Sequence, residues 1–227
     1  MVRVITVDGP SGAGKGTVSR ILAKKLGFHY LDSGALYRIL GIAAQRHQVD
    51  TSNNKSLMTL AEHMDIRFDS TETGGIKALL EGEDITQEMR TENTGALASL
   101  VASHPQVRSA LLKRQRMFAT EPGLIADGRD MGTVVFPNAV LKIYLTATTE
   151  ERAQRRYKEL LAKGEDVNLR SLVDQVRMRD ERDMSRDASP LFPAVDAIEL
   201  DTSEQSIQEV TDIVLNLVVF KGLFNSF

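Results

Sequence analysis

The chain has no cysteine and no tryptophan, and only 5% of its 227 residues are aromatic. Without cysteine, disulfides and thiolate zinc sites are excluded. The sparse aromatics disfavour a platform on which single-stranded bases stack. Charge of neither sign dominates: the net charge is −3 and the pI about 5.9, where a dedicated nucleic-acid binder would be basic. No run is long and apolar enough to span a bilayer, and the first residues lack a basic-then-apolar leader. The expectation is a cytoplasmic monomer with neither membrane nor nucleic-acid partners. The patterns HExxH, GxSxG, GxGxxG and NKxD are also missing. Zincin, nucleophile-elbow, dinucleotide-binding and guanine-reading chemistries therefore have no support. His29, His47, His63 and His104 form no close ligand pair and read as structural or surface residues.

What is present is α/β alternation. Val2, Val4, Ile5 and Val7 form a β-branched run that reads as a buried parallel strand. Val18, Ile21, Leu22 and Leu26 then recur at helical spacing and stop at Gly27. Further strands are expected at 28–31, 123–127, 139–145 and 197–201. Helices are expected at about 35–48, within 51–64, and at 95–119 with a break at His104-Pro105. Three more are expected at 148–162, 169–184 and 207–220, the first opened by a capping box at Thr148–Glu151. Residues 66–68 and 76–80 read as paired strands around a Thr- and Gly-rich turn at 70–75. The whole predicts one domain with a parallel sheet and helices on both faces, an insert at about 57–105 and a small lid at about 150–168. Ligands then belong at the carboxyl ends of the strands.

One such end carries Gly9, Pro10, Ser11, Gly12, Ala13, Gly14, Lys15, Gly16 and Thr17. Glycines at the first and sixth places followed by lysine fit a phosphate-binding loop. Glycines let backbone N–H groups turn inward around a polyphosphate, and the helix beginning near Lys15 adds its positive end. The competing reading is an ordinary Gly-rich strand-to-helix turn. Gly16 stands where the usual pattern has Ser or Thr, with Thr17 one place later; this GKGT ending resembles nucleoside monophosphate kinases. The loop implies a nucleotide but not a reaction.

Three segments go further. They are Asp32, Ser33, Gly34, Ala35, Leu36, Tyr37 and Arg38; residues 124–137, which include Asp127, Gly128, Arg129, Asp130 and Met131; and Arg179, Asp180, Glu181, Arg182 and Asp183. Through them the chain resembles bacterial cytidylate kinase over essentially its whole length. The resemblance implies a parallel-sheet kinase core with a nucleoside-monophosphate lobe and a mobile lid. It implies transfer from ATP to CMP or dCMP with Mg²⁺, and marks 66–80 as part of the family's extra insert. It places Ser33 and Tyr37 in the acceptor pocket, and Arg38, Arg129 and Arg186 on the acceptor phosphate. Ser99, Arg108 and Asp130 would read the cytosine edge, and Arg179 and Asp183 would hold the ribose.

From spacing alone these residues have plainer readings. Arg179, Asp183 and Arg186 share a helix face at i, i+4 and i+7, which by itself favours an exposed ion-pair ladder. Asp127 ends a strand like a carboxylate that holds Mg²⁺ through water, together with Thr17, or it is a turn former. Arg152, Arg155 and Arg156 are either a solvated basic face or lid arginines that fold over the transferring phosphoryl group; Arg155 and Arg156 are taken as the catalytic pair, with Lys15, Arg129 and Arg186. A kinase for UMP, AMP or shikimate and a nucleotide-controlled switch are the rival functions.

Overall fold

The computed structural model describes residues 2–70 and 76–223. The expected turn at 70–75 lies, from residue 71 on, outside the described residues. In chain order the elements are β1 (Val4–Asp8), α1 (Lys15–Leu26), β2 (His29–Asp32), α2 (Ser33–Arg46), α3 (Asn54–His63), β3 (Ile66–Ser70), β4 (Ile76–Leu80), β5 (Glu83–Asp84), α4 (Glu92–Val101) and α5 (Pro105–Arg116). They continue with β6 (Leu124–Gly128), β7 (Leu141–Thr146), α6 (Thr149–Ala162), α7 (Leu169–Met184), β8 (Ile198–Asp201) and α8 (Ile207–Phe220). A short 3₁₀ turn covers Glu88–Arg90 and a π-type turn covers Met131–Val135.

Two compact units emerge: Ser33–Arg114, and the remainder on either side of it. The larger unit holds a five-stranded sheet in the order β2-β6-β1-β7-β8, every pairing parallel. The central strands β1 and β6 are buried at every position, whereas the edge strands β2 and β8 are partly exposed. Continuous β-branched runs are what a strand covered on both sides needs. Ile5, Val7, Ile125, Ile143 and Leu145 face one side and pack against Val18, Leu22 and Leu26 of α1 and Val210, Val214 and Val218 of α8. Register then fixes polar residues as well. Asp127 pairs with Val7 and shares its face, whereas Asp8 pairs with Gly128 and points to the opposite one.

The smaller unit contains α2, α3, α4 and the antiparallel sheet β3-β4-β5. Gly41 lets α2 approach α4: a Cβ there would stand 3.0 Å from Leu97 Cβ. The expected helical stretch at 95–119 is two helices, because Pro105 starts α5 at the one helical position where its missing N–H is harmless. The two-residue strand β5 is an addition to the expected elements.

Helix ends follow local chemistry. Gly27 stops α1 in a left-handed conformation, φ 64°, with its N–H donated to the Ala23 carbonyl. Only half of the expected capping box opens α6. The Thr148 hydroxyl accepts the Glu151 N–H, but the Thr148 N–H donates to Ser203 Oγ and the Glu151 carboxylate pairs with Arg155. The complete box is at α8, between Ser206 and Glu209. Ser206→Ala should therefore lower stability by about 1 kcal/mol in urea unfolding; an unmoved midpoint would remove that cap from the account of α8.

Candidate active site

The loop after β1 is shaped by its glycines. Gly9 sits so close to β7 that a Cβ would stand 1.9 Å from the Leu145 carbonyl oxygen. Gly14 is left-handed, φ 86°, and caps α1 with no side-chain hydrogen bond, while the first turn of α1 carries no acidic residue. The first N–H groups of α1 thus meet no side-chain acceptor at their cap. Lys15 is buried and its Nζ donates to the Pro10 carbonyl at 2.8 Å. Burial, then the charges of Arg129 and Arg179, pull its pKa down to about 7, against the attraction of Asp127 and Asp8. Its Nζ is thus held inside the loop.

Asp127 lies beneath the loop. Burial pushes its carboxyl up to about 6, opposed by Lys15, and the Tyr30 hydroxyl donates to its Oδ2 at 3.2 Å. Gly16 has no side chain to fill the space next to this carboxylate, since a Cβ there would stand 3.2 Å from Oδ2. Thr17 follows as an exposed hydroxyl on the first turn of α1. One hydroxyl and one carboxylate suit Mg²⁺, which takes few protein ligands and completes its shell with phosphate oxygens and water. Among the described residues no cluster of three or more His, Cys, Asp or Glu could hold a metal by itself.

On the same unit, Arg129, Arg179 of α7 and Arg186, two residues past the end of that helix, gather around one carboxylate, Asp183. Arg129 Nε donates to Asp183 Oδ2 at 3.0 Å, and Arg186 pairs with Asp183 Oδ1. Burial alone would raise the Asp183 pKa, but Arg129, Arg186 and Arg179 together hold it below the usual carboxylate range. Burial likewise works against the Arg129 charge, and Asp183, with Asp127 and Asp180, more than restores it. Arg179 acts on the charges of both Lys15 and Asp183. The expected shared helix face stops at Asp183, because α7 ends at Met184 and Arg186 reaches Asp183 from the chain beyond it; the three form a partly buried charge cluster next to the loop lysine, not an exposed ladder.

In the smaller unit, Ser33 and Tyr37 are buried on the opening turns of α2. Arg108 of α5 is buried, donates to the Ala102 carbonyl at 3.2 Å, and lies over the Tyr37 ring at 5.3 Å. Arg38 donates to the Met89 carbonyl at 2.8 Å and rests on Gly95, where a Cβ would stand 3.3 Å from its guanidinium. Ser99 is buried on α4.

The three arginines of α6 have different employments. Arg152 is buried and uses all five donors: Nε to the Ala147 carbonyl, Nη1 to the Ser11 carbonyl and Asp180, Nη2 to Thr149 and Asp180. Its guanidinium is a fixed joint, so the expected grouping with the two lid arginines does not hold for it. Arg155 donates to the Thr202 hydroxyl and to the carbonyls of Thr202 and Ser203. Arg156 pairs with Glu159 on the surface.

Three contributors have no role assigned from the sequence. Asp8 accepts the N–H groups of Met131 and Gly132 at 2.8 and 2.7 Å, and burial pushes its carboxyl up to about 7 against those two bonds. Asp180 anchors Arg152, and Tyr30 holds Asp127. Asp8 had a visible signal, since Asp8-Gly9 stands, like Asp127-Gly128, at the carboxyl end of an expected strand.

A family model described as cytidylate kinase matches residues 5–219. A cytidylate kinase of Pseudomonas savastanoi pv. phaseolicola is 58% identical over 221 residues, 97% of this chain and 96% of that one. A cytidylate kinase of Colwellia psychrerythraea is 55% identical over 212 residues, 93% and 94% of the two chains. Among solved structures, an uncharacterized protein from Eubacterium ventriosum is similar with a TM-score of 0.51 at 11% identity, over 96% of this chain and 98% of that one.

Proposed function

Because the chain belongs to the cytidylate kinase family, we propose that it moves the terminal phosphoryl group of ATP to CMP and dCMP. The observation that carries this reading is the gathering of buried Lys15 with the partly buried Arg129 and Arg179, and with Arg186 joined to Arg129 through Asp183. Such a gathering of cations out of bulk water suits an anionic ligand.

The acceptor is itself a phosphate. With a second pKa near 6 it is largely ionised at neutral pH, so no general base is required. What must be overcome is repulsion between two anions. Residues 9–17 enclose the ATP phosphates, with Lys15 fixed at the turn. Arg38, Arg129 and Arg186 neutralise the acceptor phosphate; guanidinium groups suit this because they stay charged and bind phosphate through two parallel N–H bonds. Ser33, Tyr37, Ser99, Arg108 and Asp130 seat the nucleoside and read its base, and Arg179 and Asp183 hold the ribose. Thr17, and Asp127 through water, would hold Mg²⁺, which when bound offsets charge on the outer phosphates. Arg155 and Arg156 complete the site when the segment at about 150–168 closes over it and excludes water. The enzyme works as a cytoplasmic monomer without membrane or nucleic-acid partners; no helix among the described residues is long and apolar enough to cross a membrane.

A steady-state survey of CMP, dCMP, UMP and AMP with ATP tests the reading. CMP and dCMP should give the highest kcat/KM, at least about tenfold above AMP. ATP consumption that ignores the acceptor, or is fastest with AMP, would overturn it.

A further inference from the structure

The turn Met131–Val135 follows Arg129 and Asp130 directly. A helical turn leaves its first N–H groups without partners, and an aspartate at the cap normally accepts one of them. Here Asp130 occupies the cap position and its side chain makes no cap bond. Its carbonyl takes the N–H groups of Val134 and Val135 at 2.9 and 3.1 Å. The orphan donors of Met131 and Gly132 go instead to Asp8, 123 and 124 residues away in the chain, one to each carboxylate oxygen. The turn is pressed onto β1 for this purpose: a Cβ on Gly132 would stand 2.9 Å from Thr6 Oγ1 and 3.3 Å from Asp8 Oδ2.

We infer that Asp8 is a positioning residue for recognition of the acceptor base: it caps the Met131–Val135 turn from the neighbouring strand, and so keeps the Asp130 carboxylate out of that role. The inference rests on the reading above, in which Asp130 accepts the exocyclic amine of cytosine. A carboxylate suits that amine and repels the carbonyl oxygen that uracil presents in its place. Without Asp8, two buried N–H groups lack an acceptor, and the cap carboxylate one residue upstream is the nearest candidate to supply it. Asp130 then turns toward its own backbone and the base loses its reader.

The experiment compares the wild type with Asp8→Ala, Asp8→Asn and Gly132→Ala. It measures kcat/KM for CMP and for UMP, and ATP affinity without acceptor by calorimetry. The ratio of the two kcat/KM values is independent of the fraction of active enzyme, so partial misfolding does not disguise the result. In Asp8→Ala the CMP-to-UMP ratio should fall about tenfold or more, the size of one lost charged hydrogen bond. Asp8→Asn keeps one acceptor oxygen and should fall less. Gly132→Ala pushes the same turn off β1 and should move the ratio in the same direction. ATP affinity should stay within about twofold throughout. An unchanged ratio in all three variants overturns the role, and so does a loss of ATP affinity that parallels the loss of CMP turnover, which would assign Asp8 to the phosphate loop. A wild type that does not phosphorylate CMP overturns the kinase reading and this role with it.

Discussion

Arg129→Met should lower kcat for CMP by about 10²- to 10³-fold, the usual effect of deleting one fixed donor aimed at developing charge, while ATP affinity changes little. Arg129 meets both halves of the electrostatic problem within its unit, and more strongly at Lys15 than Arg179 does. It depresses the Lys15 pKa, second only to burial, and it donates directly to Asp183. Methionine keeps the length and apolar packing of the stem and removes only the charge and the fork. The fold should tolerate this, because Asp183 keeps Arg186 as a partner; the expected loss of stability is about 1–2 kcal/mol, below that of stripping a buried charge of its only partner. Arg129→Lys should recover part of the rate, since it restores the charge without the planar pair of N–H bonds. A variant that folds normally and phosphorylates CMP within about twofold of the wild-type kcat would remove Arg129 from the transition state.

Some of this was legible before any coordinates. The phosphate loop is readable because its chemistry is local: glycines, lysine and helix start lie within nine consecutive residues. Helices α7 and α8 occupy the expected residues, 169–184 and 207–220. β5 escapes a pattern reading because Glu83–Asp84 is two exposed acids with no alternation to detect. The Thr148 cap is read half correctly for a tertiary reason: its N–H finds Ser203, 55 residues on, instead of the side chain three residues ahead. The buried polar joints are the hardest class. Asp8 reaches Met131 and Gly132, and Asp180 reaches Arg152, across 123, 124 and 28 residues respectively. No spacing rule encodes such pairs, because the sheet register and the packing of α6 on α7 bring them together. The same limit applies to Arg179, Asp183 and Arg186: their spacing favours an exposed ladder, and only the end of α7 at Met184 and the approach to Arg129 and Lys15 show otherwise.

The largest stability effect should come from a residue with no assigned contact to substrate. Arg152→Met is expected to cost about 3–5 kcal/mol, because it leaves the Asp180 carboxylate in a buried site without its bidentate partner. For a chain of this size that corresponds to a fall in Tm of roughly 6–20 °C. Arg152 is only 3% exposed and Asp180 8%, so water cannot replace the lost bonds. The double variant Arg152→Met with Asp180→Leu removes both charges and should regain most of the stability, since paired removal of a buried ion pair is often neutral. A double variant no more stable than the single one would refute the unpaired-charge explanation. ATP binding should behave differently. The Ser11 carbonyl of the phosphate loop accepts from Arg152 Nη1 at 3.1 Å, and Gly12 packs against the Arg152 stem, where a Cβ would stand 3.0 Å from Arg152 Cβ. Both variants lose the Ser11 bond. The KM for ATP should therefore rise about fivefold or more in the single and double variants alike, as for one buried hydrogen bond, even where Tm has recovered. Recovery of both together would mean that the joint serves only to hold the fold; Tm that recovers while the KM for ATP stays raised would show that it also sets the shape of the phosphate loop.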